Sequence, residues 1–200
     1  FSAAVAALAV SDAAMLMDRA DVCLALSLEA LQGCPAAYDP RLHEVRGHAG
    51  QKKVANHIRR LTRHSSLFTG KRRVQDAYSL RCAPQVHGAA NDYFVIVRHT
   101  VEVEVNAATD NPLIFGAGDV LSGGNFHGEP ISFAMDTLKM ILAELGAISE
   151  RRTFRLLDAN LNDGLPPMLV DNMESAGLNS GLMMPQYAAA SLVLENQTLA

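Results

Sequence analysis

The sequence is short of cysteine and has no long apolar run. Its 200 residues include 3 cysteines, an odd number without a Cys-x-x-Cys pair, which is typical of a reduced cytoplasmic chain rather than a disulfide scaffold. No uninterrupted apolar run approaches the roughly 20 residues of a membrane helix. No basic segment precedes the uncharged N-terminal residues, so a secretory signal is not expected. No Gly-x-Gly-x-x-Gly motif follows a strand, so a dinucleotide site is not supported.

Excess basic charge is also absent. Lys and Arg number 17 against 21 Asp and Glu, which gives a net charge of −4 and no general attraction to nucleic acid or to an anionic membrane. Charged residues make up 19% and hydrophobic residues 49%, a composition that excludes a disordered chain. Two hundred residues suit one unit with a sizeable core. We therefore predict a single helical segment over residues 1–200.

The first 32 residues contain neither glycine nor proline and are rich in Ala, Leu and Met. These are strong helix formers, and Gly33 with Pro35 marks the end of the helix that they predict. At about 1.5 Å per residue that helix is nearly 50 Å long. Such a length indicates a helix bundle rather than a small globule. The sequence also opens without Met inside a helical pattern, so we expect it to be a segment of a longer chain.

Residues 38–50 are predicted to be a connector, and residues 51–67 a shorter helix. His43 and His48 in the connector resemble a zinc-protease pair, but they are five residues apart and Gly47 interrupts them, so no metal site is predicted. The shorter helix has core positions at Val54, Ile58 and Leu61. We interpret its basic face as a solvated surface or a subunit contact. Residues 69–73 are predicted to be an exposed loop.

The second half of the chain is less uniform. Residues 85–108 fit both a strand, by β-branched content and alternation, and a helical stripe. Asp110-Asn-Pro112 is expected to stop that element, because the residue before a proline is disfavoured in a helix. A Gly-rich loop over 116–128 follows. A helix from Pro130 to about Leu157 and a last helix from about Leu182 complete the prediction, and Glu195 lies on an otherwise apolar side of the last helix.

One stretch concentrates side chains suited to chemistry. Val74 to Gly88 reads Val-Gln-Asp-Ala-Tyr-Ser-Leu-Arg-Cys-Ala-Pro-Gln-Val-His-Gly. Gln75, Tyr78 and Arg81 are spaced by three, so a helical turn places them on one face. Arg grips a carboxylate bidentately, and a phenol can donate a hydrogen bond or shuttle a proton. Spacing alone leaves open a solvated polar turn with an Arg–Asp surface pair.

Three stretches in order carry a resemblance to a known family. They are residues 74–86, the run Asn-Ala-Ala-Thr-Asp-Asn-Pro-Leu-Ile-Phe over 106–115, and Ser-Gly-Gly-Asn-Phe-His-Gly-Glu-Pro over 122–130. These are similar to the histidine ammonia-lyases, within the aromatic amino acid ammonia-lyase and aminomutase family, and the similarity runs through the whole chain. The resemblance implies an all-α, long-helix bundle of the ammonia-lyase or fumarase-like type with Gly-rich connecting loops. It also implies that residues 85–108 are helical.

The resemblance implies an enzyme that converts L-histidine to urocanate and ammonia in the cytoplasm. The family uses an electrophilic methylidene-imidazolone made autocatalytically from Ala-Ser-Gly, a triplet that this sequence lacks. The group is therefore expected to come from outside the segment. Family members build their active sites from several subunits of a homotetramer, so the isolated segment is expected to be inactive.

The resemblance implies roles for the residues of this sequence that match functional positions of the family. Arg81 resembles the arginine that holds the substrate carboxylate, and Tyr78 the tyrosine that borders the prosthetic group and the substrate. Gln75 resembles the glutamine that supports both, and Phe126 the phenylalanine near the electrophile. Glu195 resembles the glutamate that histidine-specific members direct at the imidazole. A desolvated carboxylate favours a hydrogen-donating ring over an apolar phenyl ring.

Three alternatives stay open. A tyrosine or phenylalanine ammonia-lyase or a 2,3-aminomutase shares the same prosthetic chemistry. A non-catalytic helical assembly module belongs to a different class and needs no active site. The fumarase–aspartase superfamily is also helical, and the run from Met184 to Gln186 faintly resembles its flexible loop, but its other motifs are missing.

Overall fold

The computed structural model describes residues 1–68 and 74–200. Long helices dominate this part of the chain, as the sequence predicts. The α-helices are α1 (Ser2–Ala30), α2 (Pro40–Arg46), α3 (Ala49–Leu61), α4 (Tyr78–Arg81), α5 (Ala83–Val105), α6 (Glu129–Leu157) and α7 (Met183–Leu199). Short 3-10 turns cover Pro35–Tyr38, Pro167–Leu169 and Met173–Ser175. The predicted loop over residues 69–73 lies outside the described residues.

One small sheet interrupts the helices. Strands β1 (Leu113–Gly116) and β2 (Asp119–Leu121) form an antiparallel hairpin, in which β2 lies within the predicted Gly-rich loop over 116–128 and β1 mostly precedes it. Gly118 occupies the left-handed region with φ +86° at its turn, a conformation that glycine adopts at no steric cost. The hairpin supports the loop that carries Phe126.

The long helices pack around two clusters of buried side chains. Helix α5 contacts α1, α3 and α6, and α7 runs along α6. The first cluster joins α1, α5 and α6 and includes Ala13, Met17, Phe94, Val97, Val101, Leu138, Ile141 and Leu145. The second lies at the other end of α1 and includes Leu24, Leu28, Tyr38, Val54, Ile58, Leu80 and Ile148. Because Leu80 belongs to the second cluster, burial of this side chain ties the short helix α4 to the core.

A buried carboxylate links three helices beneath α4. Asp21 of α1 accepts hydrogen bonds from Nδ1 of His57 in α3 at 2.9 Å and from Nδ1 of His87 in α5 at 2.7 Å. Asp21 and His87 are both buried. Buried charges persist only when they are paired and hydrogen-bonded, so this network favours one arrangement of the three helices.

Several sequence predictions are confirmed. The first helix ends at Ala30, where the N–H of Gly33 caps the carbonyl of Leu28 at 2.8 Å. Residues 83–105 form a helix rather than a strand, as the family resemblance implied. Helix α6 begins with Pro130 in its first turn. The apolar residues that recur at helical spacing along its sequence are Ala134, Leu138, Ile141, Leu142, Leu145 and Ile148, and all are buried except the partly exposed Leu142.

Other predictions are wrong in their bounds. Residues 38–50 are not a simple connector, because α2 forms there with Pro40 in its first turn and the Asp39 side chain as its N-cap. Helix α3 ends at Leu61 rather than near residue 67, and Leu61 is exposed rather than part of the core. Helix α5 ends at Val105, before the Asp-Asn-Pro sequence that was expected to stop it.

Large apolar side chains remain exposed along the long helices. They include Leu8, Leu16 and Leu26 on α1, Val95, Ile96 and Val103 on α5, Phe133 and Met140 on α6, and Tyr187, Leu192 and Leu194 on α7. Within the described ranges, no helix is long and apolar enough to cross a membrane.

His43 gives a pH-dependence of stability that can be measured. Its ring is buried in α2 and hydrogen-bonds the Gln51 amide at 2.9 Å, and burial together with the positive charge of Arg59 lowers the pKa of His43. The unfolded chain therefore binds more protons than the folded one below the ordinary histidine pKa of about 6.5. The contribution of the neutral His43 ring to the free energy of unfolding is therefore fully present above about pH 6.5. It is lost as the pH falls toward the lowered pKa of His43 in the folded protein.

We expect His43→Asn to be less stable than the unmutated protein at pH 7.5, with a difference that narrows toward pH 5.5. The asparagine is neutral throughout this range, so the proton-binding cost is confined to the unmutated protein. Denaturant unfolding at several pH values measures this difference. A gap of constant size across the range contradicts the assignment of a neutral buried His43.

Candidate functional site

The candidate site is built on helix α4, a single turn between the 74–77 segment and α5. The amides of Leu80 and Arg81 both donate to the carbonyl of Ala77 at 3.0 Å, and the amide of Cys82 donates to Tyr78 at 2.9 Å. Tyr78 and Arg81 thus lie on one face of one turn, as their spacing predicts. Gln75 is exposed and precedes the helix, so the prediction that one helical turn carries all three side chains is wrong for Gln75.

Tyr78 and Arg81 form a stacked pair. The guanidinium carbon of Arg81 lies 4.6 Å from the centroid of the Tyr78 ring, a cation–π geometry. The ring itself is 71% exposed. Nε of Arg81 is buried and has no hydrogen-bond partner among the described residues. A guanidinium needs partners for its N–H groups, so this geometry leaves donor capacity for an anionic ligand.

Asp76 does not form a surface pair with Arg81. Its side chain is buried, and its Oδ2 accepts a hydrogen bond of 2.6 Å from the backbone N–H of Cys34, beyond the end of α1. The Arg–Asp surface pair of the alternative interpretation is therefore wrong, although Gln75 and Tyr78 of this stretch are exposed to solvent. Asp76 instead holds the chain entering α4 against the body of the protein.

A cavity of about 360 Å³ opens beside this turn. Tyr78 and Cys82 line one side, and Glu144 and Arg151 of α6 line the other. Glu144 and Val86 also line a larger, mostly apolar cavity of about 510 Å³ between α5 and α6. Tyr78 thus borders a recess that carries both an acid and a base on its far wall, whereas Arg81 stacks on the Tyr78 ring and does not line the recess.

Glu144 is a site residue that sequence reasoning missed. It lies three residues after Ile141 and four before Ile148, at the edge of the apolar stripe of α6. A charged residue at helical spacing from core positions was the available signal. In the sequence Glu144 resembles any other surface carboxylate, because the packing of α4 against α6 cannot be read from local sequence.

The other two motif stretches contact each other. The side-chain carbonyl of Asn111 accepts hydrogen bonds from the hydroxyl of Ser122 at 3.0 Å and the amide of Gly123 at 2.7 Å. The Asn125 amide reaches the carbonyl of Ala108 at 3.3 Å. The hairpin therefore closes with both motifs at its base.

Phe126 and Glu195 stand apart from the α4 recess. Phe126 is 63% exposed at the end of the hairpin loop, so it does not plug a core, and Glu195 is exposed on α7. Neither lines the cavity beside Tyr78. Their roles, and those of Gln75, Tyr78 and Arg81, stay predictions.

No group of three or more His, Cys, Asp or Glu side chains in the described part of the chain is arranged to hold a metal ion. His43 is buried against Gln51, whereas His48 is exposed at the start of α3. Cys23, Cys34 and Cys82 are free thiols.

The chain belongs to the aromatic amino acid lyase family, whose pattern matches residues 1–200. It is 53% identical over 199 residues to a histidine ammonia-lyase of Geobacillus kaustophilus, covering 98% of this chain and 39% of that protein. The chain thus spans about two-fifths of the length of such relatives.

Solved structures share its fold. The crystal structure of histidine ammonia-lyase from Trypanosoma cruzi matches with a TM-score of 0.87 and 45% identity, over 99% of this chain and 36% of that one. A tyrosine aminomutase from Streptomyces globisporus matches with a TM-score of 0.91 and 36% identity, over 98% and 41%. The predicted all-α fold of the ammonia-lyase type is confirmed.

Proposed function

We propose that the complete protein containing this chain is an ammonia-lyase that eliminates ammonia from L-histidine to give urocanate. The observation that carries the proposal is the stacked Tyr78–Arg81 pair, whose tyrosine borders a recess, in a chain 53% identical to a histidine ammonia-lyase. Identity to the tyrosine aminomutase is lower, at 36%. This difference favours histidine over the tyrosine, phenylalanine and 2,3-aminomutase alternatives.

Arg81 binds the substrate carboxylate in this proposal. Its guanidinium is fixed by stacking on Tyr78, and its buried Nε has no partner among the described residues. A fixed fork loses little side-chain entropy when it binds a planar carboxylate through two parallel hydrogen bonds. Holding that end of the amino acid places its amino group and β-carbon at a set distance from the Tyr78 phenol.

The elimination needs an electrophile, and the proposed one is a methylidene-imidazolone contributed from outside this chain. This sequence has no Ala-Ser-Gly from which the group forms. Tyr78 and Phe126 are both largely exposed, which suits contact with a group supplied from elsewhere. When bound, the group supplies the electron sink that lets the amine leave. Tyr78 and Phe126 would border it and help to exclude water, and Gln75 would support the same region.

Glu195 is proposed to accept a hydrogen bond from the substrate imidazole. The residue is exposed on α7, which packs along α6. For a carboxylate to select an imidazole it has to be desolvated, so the proposed role requires that other protein cover this part of α7. Ring specificity is the part of the proposal that depends most on chain outside residues 1–200.

The protein is proposed to act as a cytoplasmic homotetramer with shared active sites. Exposed apolar side chains on α1, α5 and α7 support burial against further protein, and the free cysteines suit a reducing compartment. The same apolar surfaces favour the second candidate, in which the 200-residue chain alone is a non-catalytic assembly module.

Two assays test these proposals. The complete protein is expected to release ammonia and form urocanate from L-histidine, with much lower turnover of L-tyrosine and L-phenylalanine. The 200-residue chain alone is expected to release none. Turnover of tyrosine but not histidine by the complete protein contradicts the histidine assignment. Appreciable ammonia release by the 200-residue chain contradicts the proposal that its sites are shared.

A further inference from the structure

Helix α4 is too short to hold its own shape. A single turn has almost no intrinsic stability in water, and its last carbonyl groups lack partners within the helix. Tyr78 and Arg81 nevertheless need a fixed relative position to bind and orient a substrate. Something outside α4 must therefore hold its backbone.

Tyr38 holds the carbonyl of Leu80. Its hydroxyl donates a hydrogen bond of 2.6 Å to that oxygen in a fully buried setting. Tyr38 is itself fixed, because its ring packs edge-on against Phe68 at 5.8 Å and its carbonyl accepts from Arg59 at 2.8 Å. Burial raises the pKa of Tyr38, so the hydroxyl stays protonated and keeps donating.

Arg152 holds the neighbouring carbonyl. It lies on α6 with 1% of its surface exposed, and its Nη1 donates to the oxygen of Ser79 at 3.3 Å. Asp76, bonded to the Cys34 amide, fixes the chain just before the turn. Ser79 and Leu80 are the two residues between Tyr78 and Arg81. The backbone under the stacked pair is therefore held at both of its central carbonyls.

We propose that Tyr38 and Arg152 are positioning residues for the active-site turn, acting through the carbonyls of Leu80 and Ser79. The inference rests on the proposed function and extends it to two residues that do not touch the substrate. Both residues come from elements distant in sequence, the 3-10 turn Pro35–Tyr38 and helix α6. Removing the Tyr38 hydroxyl leaves a buried carbonyl without its partner, removing Arg152 leaves a partly buried one without its partner, and in each case the turn gains freedom to move.

Amide hydrogen exchange in the complete protein tests the anchoring without reference to any reaction. We expect Tyr38→Phe to speed exchange of the Leu80, Arg81 and Cys82 amides by about 5- to 100-fold, the range that a lost hydrogen bond to a buried carbonyl gives. Arg152→Met is expected to act in the same direction. Ser27→Ala is the matched control, because it removes a hydroxyl that donates to the Cys23 carbonyl at 2.8 Å within α1. The inference is overturned if Tyr38→Phe leaves these three amides unchanged or affects them no more than the control does.

A double-mutant cycle in the complete protein tests positioning. Tyr38→Phe alone is expected to lower kcat/KM for L-histidine about 10-fold, whereas the same change in an Arg81→Met background is expected to cost at most about threefold. Ser27→Ala should leave kcat/KM unchanged in both backgrounds. Equal factors for Tyr38→Phe in the two backgrounds refute positioning through Arg81. If the unmutated protein does not turn over histidine, the proposed function fails, while hydrogen exchange still decides whether the turn is anchored.

Discussion

Arg81→Met is expected to lower kcat/KM for L-histidine in the complete protein by roughly 30- to 5,000-fold. Truncating one partner of a buried, hydrogen-bonded charge pair typically costs about 2–5 kcal/mol, and each 1.36 kcal/mol is a factor of ten in rate. Methionine keeps much of the length of the side chain but provides neither charge nor donors. Steady-state kinetics measure the loss. Part of it should appear as a higher KM, because the variant also lacks the contact with the carboxylate of the bound substrate.

Two comparisons sharpen this result. Arg81→Lys keeps the charge without the planar fork, so we expect a smaller loss than for Met. L-Histidinamide has no carboxylate, so its binding as a competitor should be almost insensitive to Arg81→Met. Arg41→Met is the control, since Arg41 is 89% exposed and pairs with Asp39 on the surface. Equal losses for Arg81→Met and Arg41→Met, or equal sensitivity of histidine and its amide, contradict the role given to Arg81.

Gly88→Ala is expected to destabilise the fold by about 2–4 kcal/mol, at or above the upper end of the usual cost of overpacking, because the added Cβ meets backbone atoms. Helices α3 and α5 cross in contact here. A Cβ on Gly88 would lie 2.4 Å from the backbone nitrogen and Cα of Gln51, and one on Gly50 would lie 2.1 Å from the Gly88 carbonyl oxygen. Backbone atoms cannot rotate away as a flexible side chain does. The two helices must therefore separate, which also disturbs the bond from the Gly50 amide to Asp92.

Gly146→Ala is the matched control. Gly146 is also inside a long helix, α6, but the nearest atom to an added Cβ is the Asn196 side-chain nitrogen at 3.7 Å, an ordinary contact. Alanine is a better helix former than glycine by about 1 kcal/mol, so this variant should be slightly more stable. Denaturant unfolding followed by circular dichroism compares the two variants. Loss of stability in both, or in neither, contradicts the close crossing at Gly88.

The long helices were predictable because glycine and proline lie at their ends and are absent from long stretches between those ends. The uninterrupted first 32 residues and the regular stripe of α6 correspond to α1 and α6 within a few residues. Helix α5 was not decidable from its residues alone. Its β-branched and aromatic runs favour a strand, and packing against α1, α3 and α6 overrides that weak preference.

The shorter elements were missed for different physical reasons. Helix α2 depends on capping by Asp39, a single hydrogen bond in a stretch with no periodic pattern. The β1–β2 hairpin has four and three residues, too few to show alternation. In both cases the element is too short for an apolar pattern to identify it in the sequence.

The candidate site likewise has a part that the sequence predicts and a part that it does not. The spacing of Tyr78 and Arg81 predicts that they lie side by side, and they do. Their supports could not be predicted, since Tyr38 is 42 residues from Leu80 and Arg152 is 73 residues from Ser79 in the sequence. Contacts over such distances follow from the packing of the three-dimensional fold and leave no local pattern.

A crystal structure of the complete protein with urocanate bound tests the central claim most directly. We expect the product carboxylate to accept hydrogen bonds from the Arg81 guanidinium, with the Tyr78 hydroxyl facing the carbons between which the double bond has formed. A urocanate carboxylate bound elsewhere, with Tyr78 and Arg81 turned into bulk solvent, contradicts the account.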